Sequence, residues 1–378
     1  MLDVFAHSSG ITDKEVAEAA AMIGVPLRVP QFNHEATLDT IRHYAHGLGD
    51  DNPLWCDEHY AATSVYGGIV APPTFGYSIF SPGITPGFDG LQVFFGTGRW
   101  EIARLARRGE RIIPRAKLID QYEAAGRRAR RMIVQVGETQ YATPDGELIA
   151  TNISTSLRVP RANQEDGLKY EPRKSYVYSA KELEDIGNQV LGQTRRGAEP
   201  LYGDDVTVGD ELPKRVKGPL NTATLMTYYA GNLNGAGYRA CEMQWQTRHL
   251  ATHHPEQIWN NRSRGWLMEA TWPGMGHLEN EVAEAVGMPA AYDNGWMRLG
   301  WVGQVATDWM GDHGALRMLE VRHVAPNIMG DTLWCGGTVL AKRREGDNYV
   351  LELSLDAYNQ LGQASCKGSA EVILPSRP

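Results

Sequence analysis

Apolar residues recur at helical spacing in three stretches of the chain. Leu38, Ile41, Ala45 and Leu48 share one face, and glycines follow to stop the helix. Val282, Ala283 and Val286 make a short amphipathic turn that ends at Gly287, with Pro289 beyond. Met297, Val302, Val305, Ala306 and Trp309 give residues 294–310 an apolar face. Partial alternation, the mark of strands, appears late in each half of the chain. Residues 131–136 run through Pro144-Asp145-Gly146 to 148–150 and 154–157. Residues 349–353 run through Asn359-Gln360-Leu361-Gly362 to 370–374 in the same way. Both stretches predict β-hairpins.

Two short words repeat. Ala36-Thr37-Leu38-Asp39-Thr40 leads to Tyr44-Ala45, and Ala223-Thr224-Leu225-Met226-Thr227 leads to Tyr229-Ala230. A helix followed by paired strands, repeated after roughly 190 residues, describes two tandem α+β units. The units span residues 1–162 and 200–378, with 163–199 as a charged, turn-rich linker holding a short helix near 180–191. A strand-like stretch at 205–212 opens the second unit.

At 378 residues, 42% of them apolar and 22% charged, the chain has the make-up of a globular protein with room for two cores. No apolar run approaches the ~20 residues of a bilayer span, and the start lacks a basic then apolar leader. No membrane association is therefore expected. Cys56, Cys241, Cys335 and Cys366 form no Cys-x-x-Cys pair, so a reducing cytoplasm is the expected location. A formal charge of −8 argues against nucleic-acid binding. No Gly-x-Gly-x-x-Gly or Walker motif precedes a helix, and His249-Leu250-Ala251-Thr252-His253 lacks the glutamate of a zinc-protease helix. Neither a cofactor nor a metal is expected.

The most specific stretch is Gly49-Asp50-Asp51-Asn52-Pro53-Leu54-Trp55, followed by Tyr66-Gly67-Gly68-Ile69-Val70-Ala71. It resembles the Gly-Asp-x-Asn-Pro-x-His and Ile-Ala-His-Gly fingerprint of the MaoC-like, (R)-specific enoyl-CoA hydratases. Arg195-Arg196-Gly197, Lys217-Gly218-Pro219-Leu220 and Thr307-Asp308-Trp309-Met310-Gly311-Asp312 extend the likeness over most of the chain. The resemblance implies two hotdog domains, each a curved antiparallel sheet wrapping a helix, fused as a double hotdog. It also implies that an Asp and a His hold the water added to an enoyl thioester, while N–H groups at the start of the hotdog helix hold the thioester oxygen.

Laid on that pattern, the first half is degenerate. Asp50 and Asn52 stand in place, but Trp55 replaces the histidine and Pro72-Pro73 replaces His-Gly, and proline has no N–H. Asp50 and Asn52 are read either as a relic of a catalytic site or as residues bonding their own loop, with Trp55 filling the former pocket. In the second half His277 takes the histidine position, and Tyr292, Asp293, Asn294 and Gly295 form the turn before the helix, with Gly295 supplying an intact donor. Trp272 stands where the aspartate should be. Glu279, Asp293 and Glu269 are candidates for the missing carboxylate. Asp293 or Asn294 alternatively caps the helix. Trp55, Trp272, Tyr292 and Asn294 are taken to line the substrate.

An insertion over 232–274, rich in Trp and Arg, separates the matched pieces and suits a lid or a subunit contact. The resemblance implies an acyl-CoA hydratase/dehydratase acting on a bulky or branched acyl group, associated as a homodimer. The alternatives are a thioester-binding pseudoenzyme subunit and another thioester lyase on the same fold.

Overall fold

The computed structural model describes residues 11–27, 29, 31–80, 82–88, 91–126, 130–160, 170–232, 249, 253 and 273–378. Glu269, Trp272 and nearly all of the insertion lie outside the described residues. The first unit begins with α1 (Asp13–Ala20), the edge strand β1 (Pro26–Leu27) and α2 (Leu38–Gly47). Three short helices follow: α3 (Pro53–Cys56), α4 (Glu58–Thr63) and α5 (Gly76–Ile79). Strands β2 (Gln92–Ile102), β3 (Ile113–Ala124), β4 (Met132–Ala142) and β5 (Leu148–Val159) complete the unit. Beyond the linker helix α6 (Ala180–Leu191), the second unit repeats the plan with β6 (Glu211–Lys217), α7 (Thr222–Gly231), α8 (Asn280–Ala285) and α9 (Gly295–Met310). Its remaining strands are β7 (Ala315–His323), β8 (Leu333–Glu345), β9 (Asn348–Asn359) and β10 (Ala364–Pro375).

All ten strands among the described residues join one antiparallel sheet in the order β1-β3-β4-β5-β2-β7-β10-β9-β8-β6. The order reads the same from either edge, five strands from each unit, with β2 against β7 at the centre. Both expected hairpins form, as β4–β5 and β9–β10. The strand expected at 205–212 starts later. Residues 203–205 make a 3₁₀ turn, and Asp210 accepts from the Thr207 N–H before β6 opens at Glu211.

Matching caps fix the internal repeat more closely than the repeated words do. Thr37 caps α2 and Asn221 caps α7, each side chain accepting from the N–H three residues on. Ala36 and Leu220 make equivalent backbone bonds, to residues 109–110 and 330–331. Tyr44 therefore corresponds to Tyr228 and Gly47 to Gly231, a register shifted from the one the repeated words suggest. The two helices cross at these glycines. A Cβ on Gly47 would sit 3.0 Å from Tyr228 Cα, and one on Gly231 would run into the His43 carbonyl.

The units differ most where each should lay a helix on its sheet. Helix α9 runs sixteen residues and is buried on every side from Trp296 to Met310, not on one face alone. Helix α5 stops after four residues, and the irregular segment 82–88 continues in its place. A helix satisfies its own backbone, so the sheet beneath it can be apolar. An irregular segment cannot, and a buried unpaired carbonyl is costly. The strands under 82–88 accordingly carry buried polar side chains aimed at its backbone. Ser154 Oγ donates to Pro82 O at 2.6 Å, Gln135 Nε2 to Pro86 O at 2.8 Å and Arg158 Nη1 to Thr85 O at 3.0 Å. Arg158 also donates to the carbonyl of Phe88, which takes a left-handed φ of 56° that a bulky residue rarely adopts.

The linker is a strap and not a spacer. Its backbone N–H groups at Tyr170 and Arg173 donate to Gly287 O and Pro289 O at 2.8 and 2.9 Å. The Arg173 guanidinium grips the buried Asp331 carboxylate.

Candidate functional site

In the first half the motif loop closes on itself. Asp50, only 4% exposed, accepts from the Asn52 N–H at 3.1 Å and from the Trp55 indole N–H at 3.0 Å. Asn52 caps α3 by accepting from the Leu54 N–H. The tryptophan thus fills the histidine's place and ties up the carboxylate. Val70 pairs with Arg107 in an isolated bridge, as Tyr292 does with Ile328 in the second half. This pairing aligns Pro72 with Asn294 and Pro73 with Gly295. Where the second half has a donor, the first has a proline, lining a hollow of only about 20 Å³ with Phe75, Trp100 and Tyr141. That is room for about one water molecule.

The same loop is riveted to the second half. Arg195 contacts Asp51 at 2.9 Å, Asp50 at 3.4 Å and Asp308 of α9 at 2.6 Å, and Arg215 reaches the other Asp308 oxygen at 2.5 Å. Burial, with Asp50 nearby, lifts the Asp308 carboxyl to about 6 against the pull of both arginines. Lys217 donates to Leu48 O, Gly49 O and Gln304 Oε1. Sequence reasoning singled out neither this ion cluster nor its role, because its members lie up to about 260 residues apart in the chain and meet only in the fold.

In the second half, α9 begins at the expected turn, and the cap is Asn294, whose Oδ1 accepts from the Trp296 N–H at 2.9 Å. No acceptor is recorded for the Gly295 N–H among the described residues, so it remains a free donor at a helix N-terminus. His277 lies half-buried beside this turn. Its Nδ1 donates to Tyr292 O at 3.0 Å, and its ring packs 4.4 Å from the Tyr292 ring and 6.4 Å from Tyr229. With Nδ1 protonated, Nε2 carries the lone pair. Burial depresses the His277 pKa to about 4, so the ring is neutral near pH 7.

The two described carboxylate candidates, Asp293 and Glu279, do not bond it. Asp293 is turned away into a buried pair with Arg298, at 2.9 Å to Nε and 2.7 Å to Nη2, and also accepts from Asn327 at 2.9 Å. Glu279 is exposed and bonds neither His277 nor the α8 N-terminus it precedes. Glu269 and Trp272 lie outside the described residues. Arg104 is paired with Glu110 and Glu147, Arg108 with Glu58, and Arg131 with Glu123. His249 and His253 stack at 4.3 Å, but no group of three metal-ligating side chains occurs among the described residues.

One residue of this site was not foreseen. His323, at the end of β7, points Nε2 at Gly295 O, 2.9 Å away, and Nδ1 at Gly96 O, 3.2 Å away. A lone histidine at a strand end gives no local signal of such a place.

Sequence and structure comparisons bear on the fold. A family model described as "FAS1-like, dehydratase domain region" matches residues 21–152. The UPF0336 protein of Thermobifida fusca is 28% identical over 130 residues, 32% of this chain and 81% of its own. That of a Parafrankia species is 31% identical over 119 residues, 29% of this chain and 74% of its own. Among solved structures, a MaoC-like dehydratase aligns with a TM-score of 0.61 at 18% identity, covering 95% of this chain and all of that one. A double-hotdog protein of Mycobacterium tuberculosis aligns at 0.54 and 12% identity, covering 93% of this chain and 96% of its own. The architecture is therefore a double hotdog. The chain belongs with the UPF0336 proteins, which its first half matches, and it shares the fold of a MaoC-like dehydratase. Among the described residues no helix is long and apolar enough to cross a membrane.

Proposed function

We propose that the second half is a hydro-lyase site that adds water to, or removes it from, an enoyl-CoA thioester. The observation that carries the reading is the turn before α9. A free Gly295 N–H opens a helix there, and His277 is fixed on the same turn by its bond to Tyr292 O. The N–H suits a thioester oxygen that gains charge as the β-carbon is attacked. Neutral His277 takes the water's proton at Nε2, and the imidazolium so formed is acidic enough to protonate the α-carbon. Tyr292 O does the orienting that a carboxylate does elsewhere, which is why the absence of Asp at the Trp272 position is tolerated. Asn294 holds the turn, and Tyr292 lines the substrate. Asp50 and Asn52 take no part in the chemistry.

A bulky or branched acyl group suits this site. In the first half, α9 walls off the motif loop along Gly300, Gln304 and Asp308. The matching wall for the second half would be a continuation of α5, which ends at Ile79.

The test is hydration of a series of trans-2-enoyl-CoA thioesters of increasing chain bulk. His277→Ala should lower kcat on the order of a hundredfold with thioester binding retained. A second reading, a thioester-binding subunit without turnover, draws on the lack of any carboxylate bonded to His277 among the described residues. Binding without turnover in the starting protein would establish it and sink the first.

A further inference from the structure

From the contacts around Gly295 we infer that His323 is a positioning residue for the oxyanion turn, and that through it the first half clamps the second half's site. The inference rests on the reading of Gly295 as the thioester-oxygen donor.

The ring sits between two backbone carbonyls from different halves. Gly295 O belongs to the first residue of α9, and Gly96 O lies where the pairing of β2 with β5 slips register between Phe95 and Thr97. That slip is a β-bulge, a device that re-aims backbone and side chains locally. Here it brings Phe95 over the turn. A Cβ on Gly295 would lie 2.8 Å from Phe95 Cδ1, and the Phe95 ring packs 5.1 Å from His323 and 5.7 Å from Trp296. Gly295 is thus held from both sides, its carbonyl by an imidazole and its α-carbon by a phenyl ring from the other half.

A neutral imidazole has one proton to give, and the nearer carbonyl, Gly295 O, receives it. This bond fixes the first peptide of α9, whose orientation sets where the adjacent Gly295 N–H points. The donor must lie 2.7–3.1 Å from the future oxyanion to be effective, so a small rotation of this turn is costly to rate and cheap in binding. The clamp also gives the degenerate half a function: it contributes Phe95 and Gly96 to a site whose chemistry lies wholly in the second half.

The experiment uses the full chain with 4-(dimethylamino)cinnamoyl-CoA, whose absorbance moves to longer wavelength when its thioester carbonyl is polarised. His323→Phe and His323→Leu both remove the polar contacts while filling the space. His323→Gln keeps one N–H for Gly295 O. The native protein should shift the bound chromophore. Either apolar variant should still bind it yet lose most of the shift, with kcat for an enoyl-CoA down on the order of tenfold and KM little changed. His323→Gln should regain most of the shift. A folded apolar variant with the native shift overturns the inference while leaving the reading of Gly295 standing. If both apolar variants fail to fold and the Gln variant folds, the polar contacts of His323 serve the fold and not the positioning of the turn, and the inference is equally overturned. A native protein that turns over enoyl-CoA but shows no shift refutes Gly295 as the donor, and this inference with it.

Discussion

Asp293 separates two roles that its sequence position allowed, catalytic carboxylate or structural anchor, and the contacts point to the anchor. Its carboxylate is essentially unexposed and takes three hydrogen bonds, two from Arg298 and one from Asn327. Arg298 is itself 4% exposed, and its other contacts are Ala325 O and the Ser365 carbonyl and hydroxyl. Asp293→Leu would leave a buried guanidinium without its counter-charge. Breaking one side of a buried pair costs about 3–5 kcal/mol. Replacing both sides, as in Asp293→Leu/Arg298→Met, should recover most of that loss, because the desolvation cost of the charges disappears with them. Urea unfolding of the two variants and of the native chain measures this difference directly. A single variant costing less than ~1 kcal/mol, or a double variant no better than the single, would refute the argument. Asp293→Asn adds the functional arm. If Asp293 were the partner of His277, its kcat would collapse at nearly native stability; as an anchor, it should lose stability first.

Other expectations follow from the same contacts. Trp55→His should bring no hydration activity to the first half, because Pro73 still offers no N–H; turnover in a chain carrying both Trp55→His and His277→Ala above that of His277→Ala alone would contradict this. Gln135→Leu leaves the buried Pro86 carbonyl without its 2.8 Å donor and should cost about 1–3 kcal/mol by urea unfolding, with activity unchanged. His277 and His323 have pKa values depressed to about 4 and about 3, below the ordinary 6.5. The unfolded chain therefore binds more protons than the fold below pH 6.5, and stability should fall as pH drops from 6.5 toward 4. Each histidine contributes a slope of about 1.4 kcal/mol per pH unit, and His277→Phe should remove one such increment.

Much of the turn before α9 and of the motif loop was legible locally. Pro72-Pro73 against Asn294-Gly295 tells which half keeps a backbone donor, because proline lacks an N–H in any fold. Trp55 stands where the resemblance puts a histidine, and its indole N–H bonds Asp50. The α9 helix and its Asn294 cap follow from apolar spacing and a short polar side chain, both properties of neighbouring residues. The hairpins β4–β5 and β9–β10 are legible for the same reason, being strands joined by a turn.

What escaped the sequence involves partners far apart along it. Nothing near Asp293 says that Arg298 and Asn327 will claim its carboxylate, so its catalytic candidacy survived until the turn was folded. Asp308, Arg195 and Asp50 come from three separate stretches, and His323 finds Gly96 only because β2 and β7 meet at the centre of the sheet. The polar residues of β4 and β5, Gln135, Ser154 and Arg158, break the pattern of a buried strand for a reason visible only in three dimensions: above them lies an irregular segment with carbonyls to satisfy. Local sequence determines which backbone groups and side chains are available, through conformational preference and covalent structure. The tertiary fold decides which of them are desolvated together, and desolvation is what makes a carboxylate depend on its buried partner and keeps an imidazole neutral.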